Sequence, residues 1–116
     1  MGKRNRRAQK LKAPTSEYTD AGGATLTLRG ALSPATRREY AQTLAGNRLS
    51  QEDTWQRAVE LLFERLAVRW TIAGAPIERQ RELLMRFRVA SAEERAWIRT
   101  VLREHCAEHF PDVQAP

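Results

Sequence analysis

The residue types best suited to chemistry gather near the C-terminus: His105, Cys106 and His109, with Glu104, Glu108 and Asp112 close in sequence. Histidines at i and i+4 share a helix face and can share a Zn²⁺ ion, whose tetrahedral sites favour nitrogen and sulfur ligands. Cys106 follows His105 directly, so on a helix of 3.6 residues per turn its side chain points about 100° away and the three do not converge. The chain holds no other Cys or His. No metal and no cofactor are therefore expected, and the pattern reads as two half-exposed histidines at the polar end of a helix beside a buried thiol. A catalytic Cys-His pair needs an oxyanion site as well, and no Gly-rich turn accompanies this one. Ala21-Gly-Gly-Ala lacks the Lys-Ser/Thr of a phosphate-binding loop. Carboxylates and arginines alternate, as in Glu60, Glu64 and Arg65 or Glu93, Glu94 and Arg95, which suits a solvated helix face. The chain is not expected to be an enzyme.

Charge gives a clearer signal. The 116 residues carry a formal charge of +6, and the six cations Lys3, Arg4, Arg6, Arg7, Lys10 and Lys12 all precede the first acid, Glu17. From Ala13 onward, fourteen arginines face fourteen carboxylates, so the body is neutral and the excess belongs to the arm. These six side chains can contact phosphates of DNA or RNA without regard to sequence, because nothing holds them against base edges. If all six engage, log K against log salt has a slope of roughly −4 to −5. An acidic protein surface is the rival partner for the arm. The four arginines Arg79, Arg81, Arg86 and Arg88 make a second, mildly basic surface.

Residues 1–23 show no apolar periodicity and end in Asp20-Ala-Gly-Gly, a linker signal, so they read as a disordered basic arm and linker. Residues 24–110 read as a helical domain and residues 111–116 as a C-terminal tail. Leu26 and Leu28 alternate with Thr25 and Thr27, the pattern of one short strand. A single strand cannot stand alone. It must pack on helices, pair with an unseen strand or pair with another chain. Ser33-Pro34 opens a helix to about Ala45, with Tyr40 and Leu44 inward and Gly46-Asn47 as its stop. Ser50 to Asp53 opens the longest helix, whose stripe Trp55, Val59, Leu62, Phe63, Leu66 and Trp70 runs on until Gly74 and Pro76. A third helix near Glu78 to Val89 presents Leu83, Leu84 and Phe87. The capping box Ser91-x-x-Glu94 opens a fourth, which carries Trp97, Ile98, Val101, Leu102 and Cys106 to Pro111. The three tryptophans read as core anchors. The expected fold is mainly α: an all-alpha, four-helix bundle-like domain with one short N-terminal strand. No stretch has the ~20 apolar residues a membrane span needs. No apolar run follows the N-terminal charges as in a signal peptide, and the lone cysteine suits a reducing compartment, so the cytoplasm is expected.

Two stretches carry a family resemblance. Ser33-Pro-Ala-Thr-Arg-Arg-Glu-Tyr40-Ala-Gln-Thr-Leu44 resembles the first helix of the DNA-binding arm domain of tyrosine recombinases over those twelve residues. The second covers more of the chain. The order of a short strand, two helices and then Leu62-Phe-Glu-Arg-Leu-Ala-Val-Arg-Trp70-Thr-Ile-Ala-Gly74-Ala-Pro76-Ile, followed by paired helices, is similar to small tail-assembly chaperones of long-tailed bacteriophages and prophages. The cationic arm departs from that family's commonly acidic character. The resemblance implies a non-enzymatic assembly chaperone or adaptor that shields a protein partner, such as a phage structural protein, on a helical surface. On this reading Leu26 and Leu28, on an unpaired donor strand, and Trp70 are the partner-binding residues. The alternative is a nucleic-acid-binding protein acting through its arm, and a homo-oligomer is open in either case.

Overall fold

The computed structural model describes residues 14–45 and 50–116. The arm cations Lys3, Arg4, Arg6, Arg7, Lys10 and Lys12 and the Gly46-Asn47 stop lie outside them. The chain forms strands β1 (Thr15–Thr19) and β2 (Thr25–Arg29), helices α1 (Pro34–Leu44) and α2 (Gln51–Leu66), strands β3 (Ala67–Ile72) and β4 (Ala75–Ile77), and helices α3 (Gln80–Arg88) and α4 (Ala92–His109). The strands make one antiparallel sheet in chain order, β1-β2-β3-β4. Among the described residues, a mixed fold of four helices and a four-stranded sheet thus replaces the expected all-alpha, four-helix bundle with a single strand. None of the helices among the described residues is long and apolar enough to cross a membrane.

The correction comes from two hairpins. Asp20-Ala-Gly-Gly, which alone reads as a linker, is the turn between β1 and β2: the Asp20 backbone N–H donates to the Ala24 carbonyl at 2.9 Å, and the Asp20 carboxylate accepts from the Ala24 N–H at 2.9 Å. The Leu26/Leu28 strand therefore finds the unseen partner it requires, with Tyr18 opposite Leu26 and Ser16 opposite Leu28. The second hairpin takes the end of the predicted long helix. α2 stops at Leu66, and Val68, Thr71 and Ile72, β-branched and suited to a pleated surface, continue as strand. Ala73 and Gly74 have φ of 51° and 80°, as the two central residues of a tight hairpin turn require. Trp70 then sits opposite Leu26 on one side and Ile77 on the other.

Alternation along the strands sends Leu26, Leu28 and Trp70 to the helix-covered face, while Glu17, Thr27 and Arg69 form a cross-strand row on the opposite one. The core joins that inner face to Leu62, Phe63 and Leu66 of α2, Leu83 and Phe87 of α3 and Ile98, Val101 and Leu102 of α4. Phe63 stacks on Phe87 with centroids 4.8 Å apart and meets Trp70 edge-on at 5.9 Å. Helix starts follow their caps. Ser33 accepts from the Thr36 N–H, Ser50 from the Asp53 N–H, and Ser91 with Glu94 forms the full reciprocal box. Residues 111–116 fold back on α1: Val113 is in the core, Tyr40 Oη donates to the Gln114 carbonyl, and Arg37 pairs with Asp112. Two expected core residues lie outward instead. Leu44 is exposed at the end of α1, and Trp55, in the first turns of α2, is 40% exposed.

Candidate functional site

His105 is fully buried, which corrects the expectation of a half-exposed side chain. Its Nε2 lies 2.6 Å from the Arg29 carbonyl, which can only accept, so Nε2 carries the proton and Nδ1 accepts from Tyr18 Oη at 2.7 Å. His109 lies with its ring 4.5 Å from that of His105 and its Nε2 3.3 Å from Ser16 Oγ. The two histidines thus tie α4 to the β1–β2 hairpin. Desolvation, aided by nearby His109 and opposed by the Arg29 carbonyl and Glu108, holds the His105 pKa below its ordinary 6.5. Burial pushes the Cys106 thiol up to about 11, which keeps it protonated and a poor nucleophile near neutral pH. Among the described residues no group of three or more His, Cys, Asp and Glu is placed to hold a metal ion.

A pH dependence follows. Below pH 6.5 the unfolded chain protonates His105 while the native chain resists, so the stability present above that pH declines as the pH falls through and below 6.5. Urea unfolding at about pH 7.5 and about pH 5 should show this decline in the native sequence and a smaller one in His105→Gln. Equal declines in both would show that His105 is not the group responsible. Other native carboxylates with lowered pKa, Glu94 and Asp112, act below this window.

The residues expected to bind a partner lie elsewhere than a binding surface needs. Leu26, Leu28 and Trp70 are all buried, and β2 is bonded on both sides, so it offers no donor edge. Of the basic third-helix set, Arg86 pairs with Glu94 and Arg88 with Glu60, while Arg79 and Arg81 have no carboxylate partner among the described residues.

One of several surface depressions, a groove of about 340 Å³, lies between α2, the end of α3 and α4. Val59, Phe87, Ala92 and Ala96 give it an apolar lining, and Arg95 and Arg99 stand along α4 with Gln56 across from them on α2. Arg95 is held by its Nε donating to the Ala90 carbonyl at 3.1 Å, yet neither arginine meets a carboxylate among the described residues. Trp55 precedes Val59 by one helical turn, and Val89, 76% exposed, closes α3 beside Phe87. Such a groove can seat apolar side chains and neutralise an anionic group at its α4 wall.

Sequence reasoning missed this groove, because Glu93 and Glu94 stand next to Arg95 in the chain and seem to neutralise it. On a helix the neighbours are three and four residues away. No acid stands at those distances from Arg95 or Arg99, and that signal was available. No family model, curated protein or solved structure matches the chain.

Proposed function

We propose that this protein is a non-enzymatic adaptor or assembly chaperone that holds a segment of a partner protein in the groove between α2, α3 and α4. The observation that carries this reading is the groove itself, apolar at its base, with Trp55 and Val89 exposed on the helices that form it, and walled by arginines that meet no carboxylate among the described residues. Exposed apolar surface beside polar rims is typical of protein-binding sites. The tail-assembly resemblance adds less than the groove does, since Trp70 belongs to β3 and Gly74 to a hairpin turn rather than to a helix end. A cytoplasmic location fits the single, buried Cys106, which takes part in no disulfide.

The test is selection of peptides from a random display library on the full chain, followed by binding of the synthetic peptides to the native protein and to Ala96→Trp. Ala96 is exposed, so the substitution fills the groove without entering the core. Affinity should fall at least about tenfold, the equivalent of ~1.4 kcal/mol. Peptides that bind the filled variant as well as the native chain would place the binding surface elsewhere.

A second reading rests on the six cations of residues 1–12, which favour sequence-independent contact with DNA or RNA phosphates. It is compatible with the first, because the neutral body and the arm can hold different partners.

A further inference from the structure

Arg95, Arg99 and Arg103 recur every four residues along α4, and Ala92, Ala96 and Ala107 fall in the same stripe of the helix. The acids of α4, Glu93, Glu94, Glu104 and Glu108, project from other sides, and none stands three or four residues from any of the three arginines. Like charges at this spacing destabilise a helix by about 0.2–0.5 kcal/mol per pair. The described residues supply no compensation. Among the described residues, Arg37, Arg65, Arg69, Arg86 and Arg88 each meet a carboxylate; these three, like Arg29, Arg38, Arg57, Arg79 and Arg81, meet none, but they alone stand together as a stripe on one helix, and Arg103 is held by Thr100 Oγ1 at 3.4 Å. The stripe also continues beyond the groove. Arg103 and Ala107 line a second depression with Pro111 and Val113, so an arginine ridge with small residues between its cations runs along almost the whole of α4.

We infer that this ridge is the recognition surface for an acidic, amphipathic helix of the partner protein; the inference rests on the groove-binding reading and names the chemistry of its ligand. The alanines leave room for a second helix to approach closely, and carboxylates spaced one turn apart on that helix meet arginines spaced the same way. Its apolar face then covers the exposed Ala92 and Ala96 and reaches Trp55 and Val89, all of them outside the core that holds Val59 and Phe87. A phosphate backbone could also meet three arginines, but it would leave this apolar surface uncovered. The combination therefore favours an acidic protein segment over a nucleic acid.

The peptides selected on the full chain provide the test. They should be enriched in Asp or Glu at intervals of three or four residues, interleaved with Leu, Phe or similar side chains. Replacing those acids by Gln or Asn should weaken binding to the native protein at least about tenfold, and rising salt should weaken it too. In the triple variant Arg95→Gln, Arg99→Gln, Arg103→Gln, the acidic and amide peptides should bind alike, while the corresponding three Arg→Lys changes should retain a preference for acids. All three arginines are at the surface or half-buried, so each variant should stay folded, with a circular dichroism spectrum like that of the native chain. Groove-bound peptides without acid enrichment would overturn the inference and leave the adaptor reading intact. Peptides indifferent to Ala96→Trp would remove both. An oligonucleotide that displaces the peptides and loses affinity with the arginine ridge would assign α4 to nucleic acid instead.

Discussion

Trp70→Ala is expected to destabilise the protein by about 3–5 kcal/mol, the range for deleting a fully buried large aromatic. Trp70 is 1% exposed and stands where the two hairpins, α2 and α3 meet. Leu26 and Ile77 are its partners across the sheet, Phe63 meets its ring edge-on, and the Arg86 guanidinium lies 5.0 Å from its ring centre. A small domain has only about 5–15 kcal/mol of stability in all, so the variant should lie close to the edge of folding at room temperature. Urea unfolding followed by circular dichroism would show a lower midpoint with an unchanged slope. Trp70→Phe offers a sharper comparison. The indole Nε1 is buried without a hydrogen-bond partner among the described residues, so phenylalanine loses volume but also removes an unsatisfied donor. Its cost should be well under half that of the alanine variant. A cost near zero for Trp70→Ala is what a tryptophan at the frayed end of a surface helix would give, and would contradict the sheet.

The second large effect concerns the arm. If residues 1–12 bind phosphate, the full chain should bind DNA or RNA with a logarithmic salt slope of roughly −4 to −5, equivalent to a loss of two to three orders of magnitude between about 50 and 200 mM salt. A chain beginning at Ala13 should keep its circular dichroism spectrum and lose this binding. Because the remaining charges balance at fourteen of each sign, no general attraction should survive the truncation. Retained affinity with a slope near −2 to −3 would instead count the three arginines of α4 as the phosphate contacts. The same experiment therefore separates the two cationic surfaces.

The helices were legible because their starts are written locally. Ser33-Pro34, Ser50 and the Ser91/Glu94 box each satisfy backbone donors within three residues, and each opens a helix within one residue of where it is expected. The strands were harder for specific reasons. Tyr18 is the only large apolar residue of β1, so Thr-Ser-Glu-Tyr-Thr shows no usable alternation until its pairing with Leu26 is known. Leu66 and Trp70 differ by four positions, a spacing that keeps both a helical and an extended side chain on one face, so the apolar stripe runs across the real boundary without a break. The burial of His105 was equally hidden, because it depends on Tyr18 and the Arg29 carbonyl, both far away in the chain. The arginine stripe of α4 needed only helical spacing, and it was obscured by reading neighbours along the chain instead of along the turn.

The placement of the two hairpins also constrains how the chain can fold. Each closes locally, through a short turn, and can form early and independently of the other. The middle of the sheet is different: pairing β2 with β3 closes a loop of 37 residues between Arg29 and Ala67, at an entropic cost of about 3 kcal/mol before any contact compensates. Packing α1 against α2 shortens that loop, so the helical pair is the natural bridge across which the halves find one another. Sequence changes inside either hairpin or at the α1–α2 contact, which form before the halves join, should therefore act mainly on the rate of folding, while those at contacts completed afterwards should act mainly on the rate of unfolding.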